Sequence, residues 1–548
     1  MNLAVVNLDS NETKVTQIPE RDEKMFIGGK GVATKLITTL SPKIDPLSPK
    51  NVIIFAVGPV NSFRLSGASR MTAVFKSPLT GGYGESQCGG FAPHEMALSG
   101  VHVLMVAGRS EKPVYLVVEG GCVEIKPADH LWGLDAFETE DALRKDEGGE
   151  VMAIGQAGEN LVKFACITHR RGRQFGRAGG GAVLGSKRVK AIVFRGDGEG
   201  RESQEFEEFL DKHVIPKLSA LQKYGTPNIM WLVNRSKSLP SYYWKSSEFS
   251  IEGIDAEKML RYFVRRNACY ACKVACGRIS RTEKAEVEGP EYETLYSFGT
   301  LLGNADLEII IEANELADRF GMDTISLGNA IGFAIELSRL GKLEESIDFG
   351  EGEKYVELVR KTAFREGIGS LLAEGVVGME RLTGVEGVHV NGLEPPAYDP
   401  RGIFGMALAY ATSPRGACHM RSCAYRPNLA GQLDRLSAEG QARLVRELED
   451  FYAVVDSLVF CRFLTLPQIG MGWEDVAKLL EIASGRKYEV EHLKKVGHRI
   501  HSMAWEFNRR EGIGYGRLPS KFFQYGLERE DFERMIEEYM RFRESNQA

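Results

Sequence analysis

No apolar run in the 548-residue sequence is long enough to cross a membrane. The stretch at 52–60, VIIFAVGPV, falls far short of the ~20 residues a spanning helix needs and reads as a buried strand. An export signal is missing too. The start, MNLAVVNLDSNET, has no basic n-region and soon turns polar, so a cytoplasmic location is expected. Basic charge is not in excess. The 69 Lys and Arg against 75 Asp and Glu give a net charge of −6, which argues against a nucleic-acid binder. The densest basic spot, His169, Arg170, Arg171 and Arg173, adjoins a glycine-rich loop and suits a phosphate-bearing small molecule better than a polymer. Cysteine is scarce and odd in number, nine in all. That excludes a disulfide scaffold and points to metal or redox chemistry. Regular βαβ alternation is absent, which excludes a doubly wound nucleotide fold.

Apolar residues make up 43% of the chain, ample for large cores, and the length allows two to four domains at roughly 150 residues each. The expected class is α+β. Residues 1–204 read as a β-rich domain, with strand-like runs at 51–57, 71–76, 101–107, 114–118 and 190–195. The glycine-rich turns FIGGKG, LTGGYGESQCGG and GRAGGGAVLGSK separate them. A charged stretch at 196–208 marks an edge. Two mainly helical domains are expected at 205–388 and 389–548. Asp255 predicts a helix running through Arg266 into a cysteine cluster. Leu307, Ile310, Ile311, Leu316 and Phe320 recur at helical spacing and Gly321 stops them. A second helix is expected from Thr324 to Leu340, ended by Gly341, and others at 438–456, 473–485 and 526–543.

Cys269, Cys272 and Cys276 form C-x2-C-x3-C. Three thiolates in eight residues suit a soft metal centre. A [4Fe–4S] cluster needs a fourth cysteine, and Cys461 is the candidate. Structural zinc favours paired C-x2-C motifs or added histidines, and no second pair exists. Zinc and plain buried cysteines remain the alternatives. Cys88, Cys122, Cys166, Cys418 and Cys423 read as inert thiols within the fold.

Asp318 and Asp323 flank a turn between two expected helices. Asp318 would oppose the dipole of the first helix in its last turn, so N–H donors should compensate it. Asp323 would cap the second helix. The alternative is a solvated acid beside an ordinary cap. Asp456 precedes Cys461 by the same five-residue offset, which spans at most ~17 Å. A ligand at Asp456 would therefore lie near the proposed cluster.

In this order, the motifs GGKG, GGYGESQCGGF, FGRAGGGAVLGSK, C-x2-C-x3-C, GPEYETL, DRFGMD, DPRGIFG, ATSPRGACHMR and NRREGI resemble the tungsten-dependent aldehyde:ferredoxin oxidoreductases along nearly the whole chain. The resemblance implies tungsten, or in some members molybdenum, held by the dithiolenes of two pterin cofactors. It also implies Mg2+ between the pterin phosphates and one nearby [4Fe–4S] cluster. Cys269, Cys272, Cys276 and Cys461 would ligate the cluster, and Asp318, Asp323 and Asp456 would accept from pterin N–H groups. Arg70 would bridge cluster and pterin. Gln87, Cys88, Gly89, Arg177 and Ala178 would line the phosphates and magnesium. The sequence departs from the family pattern in three places. Gln87 stands where asparagine is usual, and Val459-Phe460 where Gly-Leu is usual. Residues 312–315 lack the histidine of a metal-bridged dimer, which leaves a homo-oligomer or a complex subunit open.

Glu293 and His419 match the family's acid–base pair. Taken singly they read as a surface glutamate and a core histidine, and Glu291 and Tyr292 lie beside the first. The implied function is oxidation of an aldehyde to its acid, with electrons passing to ferredoxin. Arg261, Arg265 and Arg266 offer a basic spot beside the cysteines for that partner; the alternative is a solvated helix face. The alternatives are a tungsten subunit of a low-potential reductase complex acting on, for example, an aromatic acyl thioester, and a non-catalytic iron–sulfur carrier or zinc scaffold.

Overall fold

The apolar run at 52–60 is continuous, rather than alternating, because its strand is covered on both faces. The computed structural model describes residues 1–545. In it the first sheet contains β1 (Asn2–Asn7), β2 (Glu12–Gln17), β3 (Ile53–Ala56), β4 (Met71–Lys76), β5 (Tyr83–Cys88) and β6 (Val103–Ala107), ordered β2-β1-β6-β3-β4-β5. Along β3, Ile53 and Phe55 join the core between the two large sheets, whereas Ile54 and Ala56 join the core shared with the helices. This is the period of two expected of a strand, with both faces apolar.

The second sheet contains β7 (Val114–Glu119), β8 (Cys122–Pro127), β9 (Glu150–Ala153), β10 (Ile167–His169), β11 (Arg173–Phe175) and β12 (Val189–Arg195), ordered β11-β10-β9-β12-β7-β8. Phe55 meets Phe175 of this sheet edge to face, with ring centroids 5.7 Å apart. Each sheet is antiparallel except for one pair, β1 with β6 and β7 with β12.

After Arg195 the chain is mostly helical. Asp306 caps the helix Leu307–Phe320, its carboxylate accepting from the Glu308 N–H at 3.0 Å. Gly321 ends that helix at φ 75°, the left-handed conformation expected there. Asp323 caps Thr324–Arg339 by accepting from the Ile325 N–H. The other expected helices occur as Gln441–Leu458, Trp473–Ser484 and Arg529–Glu544. Among the described residues no helix is long and apolar enough to cross a membrane.

One helix differs from expectation. Asp255 does cap a helix, but it covers only Ala256–Met259. The chain then forms β13 (Phe263–Asn267), which pairs with β14 (Gly277–Arg281), itself paired with β15 (Glu286–Glu288). Phe263 and Val264 favour a pleated surface over a helix. As a result, the three clustered cysteines occupy the loop of a β-hairpin.

Candidate redox centre and active site

Positive backbone φ at Ala271 (53°) and Ala275 (46°) curls the hairpin loop around Cys269, Cys272 and Cys276. The Cys272 N–H donates to the Cys269 carbonyl at 3.1 Å. Cys461 arrives from the other side, just beyond the helix Gln441–Leu458, where Val459 turns at φ 54°. Its N–H donates to the Gly67 carbonyl at 2.9 Å. A Cβ on Gly67 would lie 3.1 Å from the Cys461 Cβ, and Gly67 holds φ +84°, so glycine serves the close approach. Burial pushes the Cys272 thiol up to about 12, and the charges of Cys461 and Cys269 add to that. Cys276 is raised by burial and again by Cys269 and Cys461, against the pull of Arg173. The four thiols therefore share one electrostatic neighbourhood. Four cysteine thiols brought to one neighbourhood are the donor set that a [4Fe–4S] cluster takes.

Gly89 lies directly against this loop. A Cβ there would stand 2.8 Å from the Cys269 sulfur and 3.6 Å from Arg70 Nη1. The Arg70 charge acts on Cys88 and Cys461, and its Nε is buried without a partner. Burial raises the Cys88 thiol. Gln87 is half-buried and its amide donates to Thr72 Oγ1 at 3.1 Å. The Arg177 N–H donates to Ser86 Oγ at 3.2 Å, which ties the 177–179 turn to β5. Ala178 and Gly179 both hold positive φ in that turn.

The three acids occupy different environments. Asp318 is buried and its carboxyl is pushed well up by that burial. The side-chain amides of Gln174 and Asn314 each donate to it at 3.0 Å, supplying the N–H groups that its place in the helix demands. Asp323 accepts from Arg177 Nε at 3.0 Å and from Ser326 Oγ at 2.8 Å. Ser326 and Arg177 both reach Glu394 as well. Asp456 sits among cations. Arg421 donates to it at 2.9 Å, Arg462 also donates, and Lys30 Nζ is 3.9 Å away. Burial pushes its pKa up, but those cations outweigh burial and bring it to about 2.

Glu293 lies in the first turn of the helix Tyr292–Ser297. Its Oε2 accepts from the Ala397 N–H at 2.9 Å, and its Oε1 lies 3.6 Å from His419 Nε2. Glu293 Oε1 and His419 Nδ1 are both buried without a hydrogen-bond partner. Burial raises Glu293 to about 8, against the Ala397 hydrogen bond. Burial and then the charges of Arg415, Arg177 and Arg421 hold His419 well below its usual range, so the imidazole is neutral at pH 7. The pair lines a cavity of about 300 Å³. Tyr398 and Tyr425 stack at 4.2 Å beside His419. Glu291 also lines the cavity, but its carboxyl is engaged by Thr226.

Several residues of this region escaped the sequence reading. Lys30 and Glu85 pair at 2.8 Å, and Arg421 joins both Glu85 and Asp456. Cys418 is buried, as expected of it, but its surroundings are cationic. Burial pushes its thiol up, yet Arg415 and Arg421 outweigh burial and hold it at about 7. Arg415 donates to its sulfur at 3.0 Å. The nearby arginines in SPRGACHMRS were the available signal. Cys122 is exposed rather than buried, because it opens β8 after the Gly120-Gly121 turn. The basic run at 169–173 is neutralised within the fold, with Arg170 paired to Glu150, Arg171 to Asp141 and Arg173 to Glu288.

The donor set fits the groups that the motifs imply. Four cysteines converge at the surface loop. Inside it, arginines with unpartnered nitrogens (Arg70, Arg415 and Arg421) suit anionic phosphates and sulfur. The carboxylates Asp318, Asp323 and Asp456 suit N–H donors.

Comparison with known proteins agrees. Residues 3–196 match the family model described as aldehyde ferredoxin oxidoreductase, N-terminal domain, and residues 203–547 match that of domains 2 and 3. The tungsten-containing aldehyde ferredoxin oxidoreductase of Pyrococcus furiosus is 35% identical, over 95% of this chain and 90% of that protein. The same-named protein of Thermococcus kodakarensis is 34% identical over the same shares. Among solved structures, the BamBC active-site complex of benzoyl coenzyme A reductase with 1,5-dienoyl-CoA shares the fold. Its TM-score is 0.85 at 22% identity, covering 99% of this chain and 94% of that one. With the two models end to end along it, and such relatives over nearly its whole length, the chain belongs to the aldehyde ferredoxin oxidoreductase family.

Proposed function

We propose that this protein oxidises an aldehyde to the carboxylate at a tungsten centre held by two pterin dithiolenes, and passes the electrons through a [4Fe–4S] cluster to ferredoxin. The observation that carries the reading is the Glu293–His419 pair, set 3.6 Å apart on the wall of a cavity of about 300 Å³. Cys269, Cys272, Cys276 and Cys461 would hold the cluster. Asp318, Asp323 and Asp456 would hold the pterins, Arg70 would bridge pterin and cluster, and Gln87, Cys88, Gly89, Arg177 and Ala178 would line the phosphates and Mg2+. When bound, the metal–pterin group supplies a two-electron acceptor and a Lewis acid.

The balance is RCHO + H2O → RCOO− + 3H+ + 2e−. The chain's own residues manage the water and the protons. The Ala397 N–H fixes one oxygen of Glu293 and leaves Oε1 turned toward His419. In its ionised form Glu293 Oε1 takes a proton from water as it attacks the carbonyl carbon. Neutral His419 donates a hydrogen bond to the carbonyl oxygen, where negative charge develops. Tyr398 and Tyr425 exclude bulk water from one side.

Electrons leave near the hairpin loop. Arg265 and Arg266 on β13 are exposed, as is Arg261 just before it. The opposite flank of the loop is acidic, since Lys273 is paired with Glu207 and Asp211. An acidic carrier is therefore drawn to the β13 side.

Anaerobic purification followed by elemental analysis for W, Mo, Fe and Zn, pterin fluorescence after acid release, and aldehyde-dependent viologen reduction tests the reading. Tungsten, iron and pterin with aldehyde turnover are expected. Zinc without pterin would overturn it. A loaded protein that ignores every aldehyde and binds partner subunits would favour a low-potential reductase subunit.

A further inference from the structure

Arg426 lines the same cavity as Glu293 and His419. Among the described residues it has no carboxylate within ion-pair distance and its side chain makes no hydrogen bond. Its Nε is buried without a partner. Arg426 is half-buried, and Arg70, beside Cys269, shares its unpartnered state outside this cavity. Several other arginines of the interior have carboxylate partners. Arg177 pairs with Asp323, Arg401 with Asp399, Arg421 and Arg462 with Asp456, and Arg543 with Glu449. A buried guanidinium nitrogen with nothing to bond is unfavourable, and a charged side chain in a cavity usually has a partner. The two acids of the cavity do not supply one, since Thr226 engages Glu291 and the Ala397 N–H engages Glu293. Lys217, exposed at the cavity edge, adds a second cation. Most of the remaining wall is apolar, with Leu218, Leu221, Phe463 and Leu466, although Thr226 and Asn228 also line it.

We propose that the substrate is an aldehyde with an apolar body and an anionic oxygen group at its far end, a carboxylate or a phosphate, which Arg426 grips. This rests on the aldehyde reading above. The guanidinium fork matches either anion through two parallel N–H···O bonds. The aldehyde end then points toward Glu293 and His419 while the body lies against the apolar wall. Arg426 acts as the specificity-determining residue, since an aldehyde without the anion leaves it unpaired.

Viologen reduction by the loaded enzyme compares 4-formylbenzoate and 4-formylphenyl phosphate with benzaldehyde. At least one anionic aldehyde should exceed benzaldehyde by about ten-fold or more in kcat/KM, chiefly through KM. In Arg426→Gln that ratio should fall to near one, and Arg426→Lys should lie between. The two anionic aldehydes separate a carboxylate site from a phosphate site. A second measurement needs no turnover: calorimetric titration of the loaded protein with 4-(hydroxymethyl)benzoate and with benzyl alcohol. The carboxylate should bind about ten-fold tighter, a difference of about 1.4 kcal/mol, and Arg426→Gln should erase the difference. Equal selectivity in the wild type, or a preference that survives in Arg426→Gln, would overturn the proposal. If no aldehyde is oxidised but the Arg426-dependent binding preference stands, the aldehyde reading fails and the anion site remains. If all three aldehydes are oxidised equally, the anion site fails alone.

Discussion

Glu293 Oε1 and His419 Nε2 stand 3.6 Å apart, too far to bond each other and close enough for one oxygen to touch both. Each side chain also keeps a buried polar atom without a partner. Two such groups left uncommitted in one cavity are arranged for a third party. Replacing Glu293 by Gln preserves size and the Ala397 contact while removing the base. Metal and pterin content should be unchanged, and kcat/KM should fall by about two orders of magnitude or more. Viologen assays on variant and wild type with equal metal content check this. Turnover equal to wild type would remove Glu293 from the mechanism.

The same pair sets a pH dependence. Glu293 is raised to about 8, so at pH 7 only about one-tenth of it is the ionised base. His419 is already neutral there, since its pKa lies well below the usual range. Wild-type kcat/KM should therefore climb between pH 6 and 8 and level off above. A profile that fell over that interval would assign Glu293 the role of an acid instead.

Cys461 lies 185 or more residues from the other three proposed ligands in sequence, yet its backbone is tied to Gly67 and its charge reaches Cys269 and Cys272. A Cys461→Ser variant should lose the intact [4Fe–4S] signal by electron paramagnetic resonance and retain less than the full four irons per chain. A wild-type spectrum in the variant would rule out the ligand role.

Charge reversal at the hairpin separates docking from chemistry. Arg265→Glu with Arg266→Glu should raise KM for an acidic ferredoxin about ten-fold or more at low salt, with the gap narrowing as salt screens it. Viologen, a small cation, should show no such loss. An unchanged KM for ferredoxin would place the docking face elsewhere.

Much of this was legible in the sequence for local reasons. Gly321 and Asp323 announce a helix stop and a helix start through φ and capping alone, and both occur as expected. The strand 263–267 was misread because Asp255 is a good cap, and a cap says nothing about how far its helix runs. What ended the helix was pairing with β14, a tertiary contact ten or more residues onward. The charge network was hidden for the same reason. Lys30, Glu85, Arg421 and Asp456 meet from four distant segments, and nothing in the local context of any one names its partner. Arg426 was equally silent, because what distinguishes it is the lack of a partner in space.

Asp456 ties that network to the proposed redox centre. It is 1% exposed, and its carboxylate is shared by Arg421 and Arg462 with Lys30 nearby. Its pKa of about 2 in the fold lies below the ordinary 3.8. The stabilisation is therefore fully present above about pH 4 and is lost as pH falls through 2. Asp456→Asn keeps the shape and removes the charge, leaving Arg462 with no carboxylate and Arg421 with Glu85 alone. Breaking a buried pair in this way costs about 3–5 kcal/mol. Calorimetry should show a lower thermal midpoint at pH 7 and a shallower decline between pH 4 and 2 than in wild type. A midpoint and an acid limb that both matched wild type would mean that Asp456 contributes no such stabilisation. Because Asp456 stands five residues before Cys461, on the last turns of the helix that delivers it, the variant should also weaken iron retention. That loss, measured as iron per chain after gel filtration, would link the buried charges to the proposed electron exit.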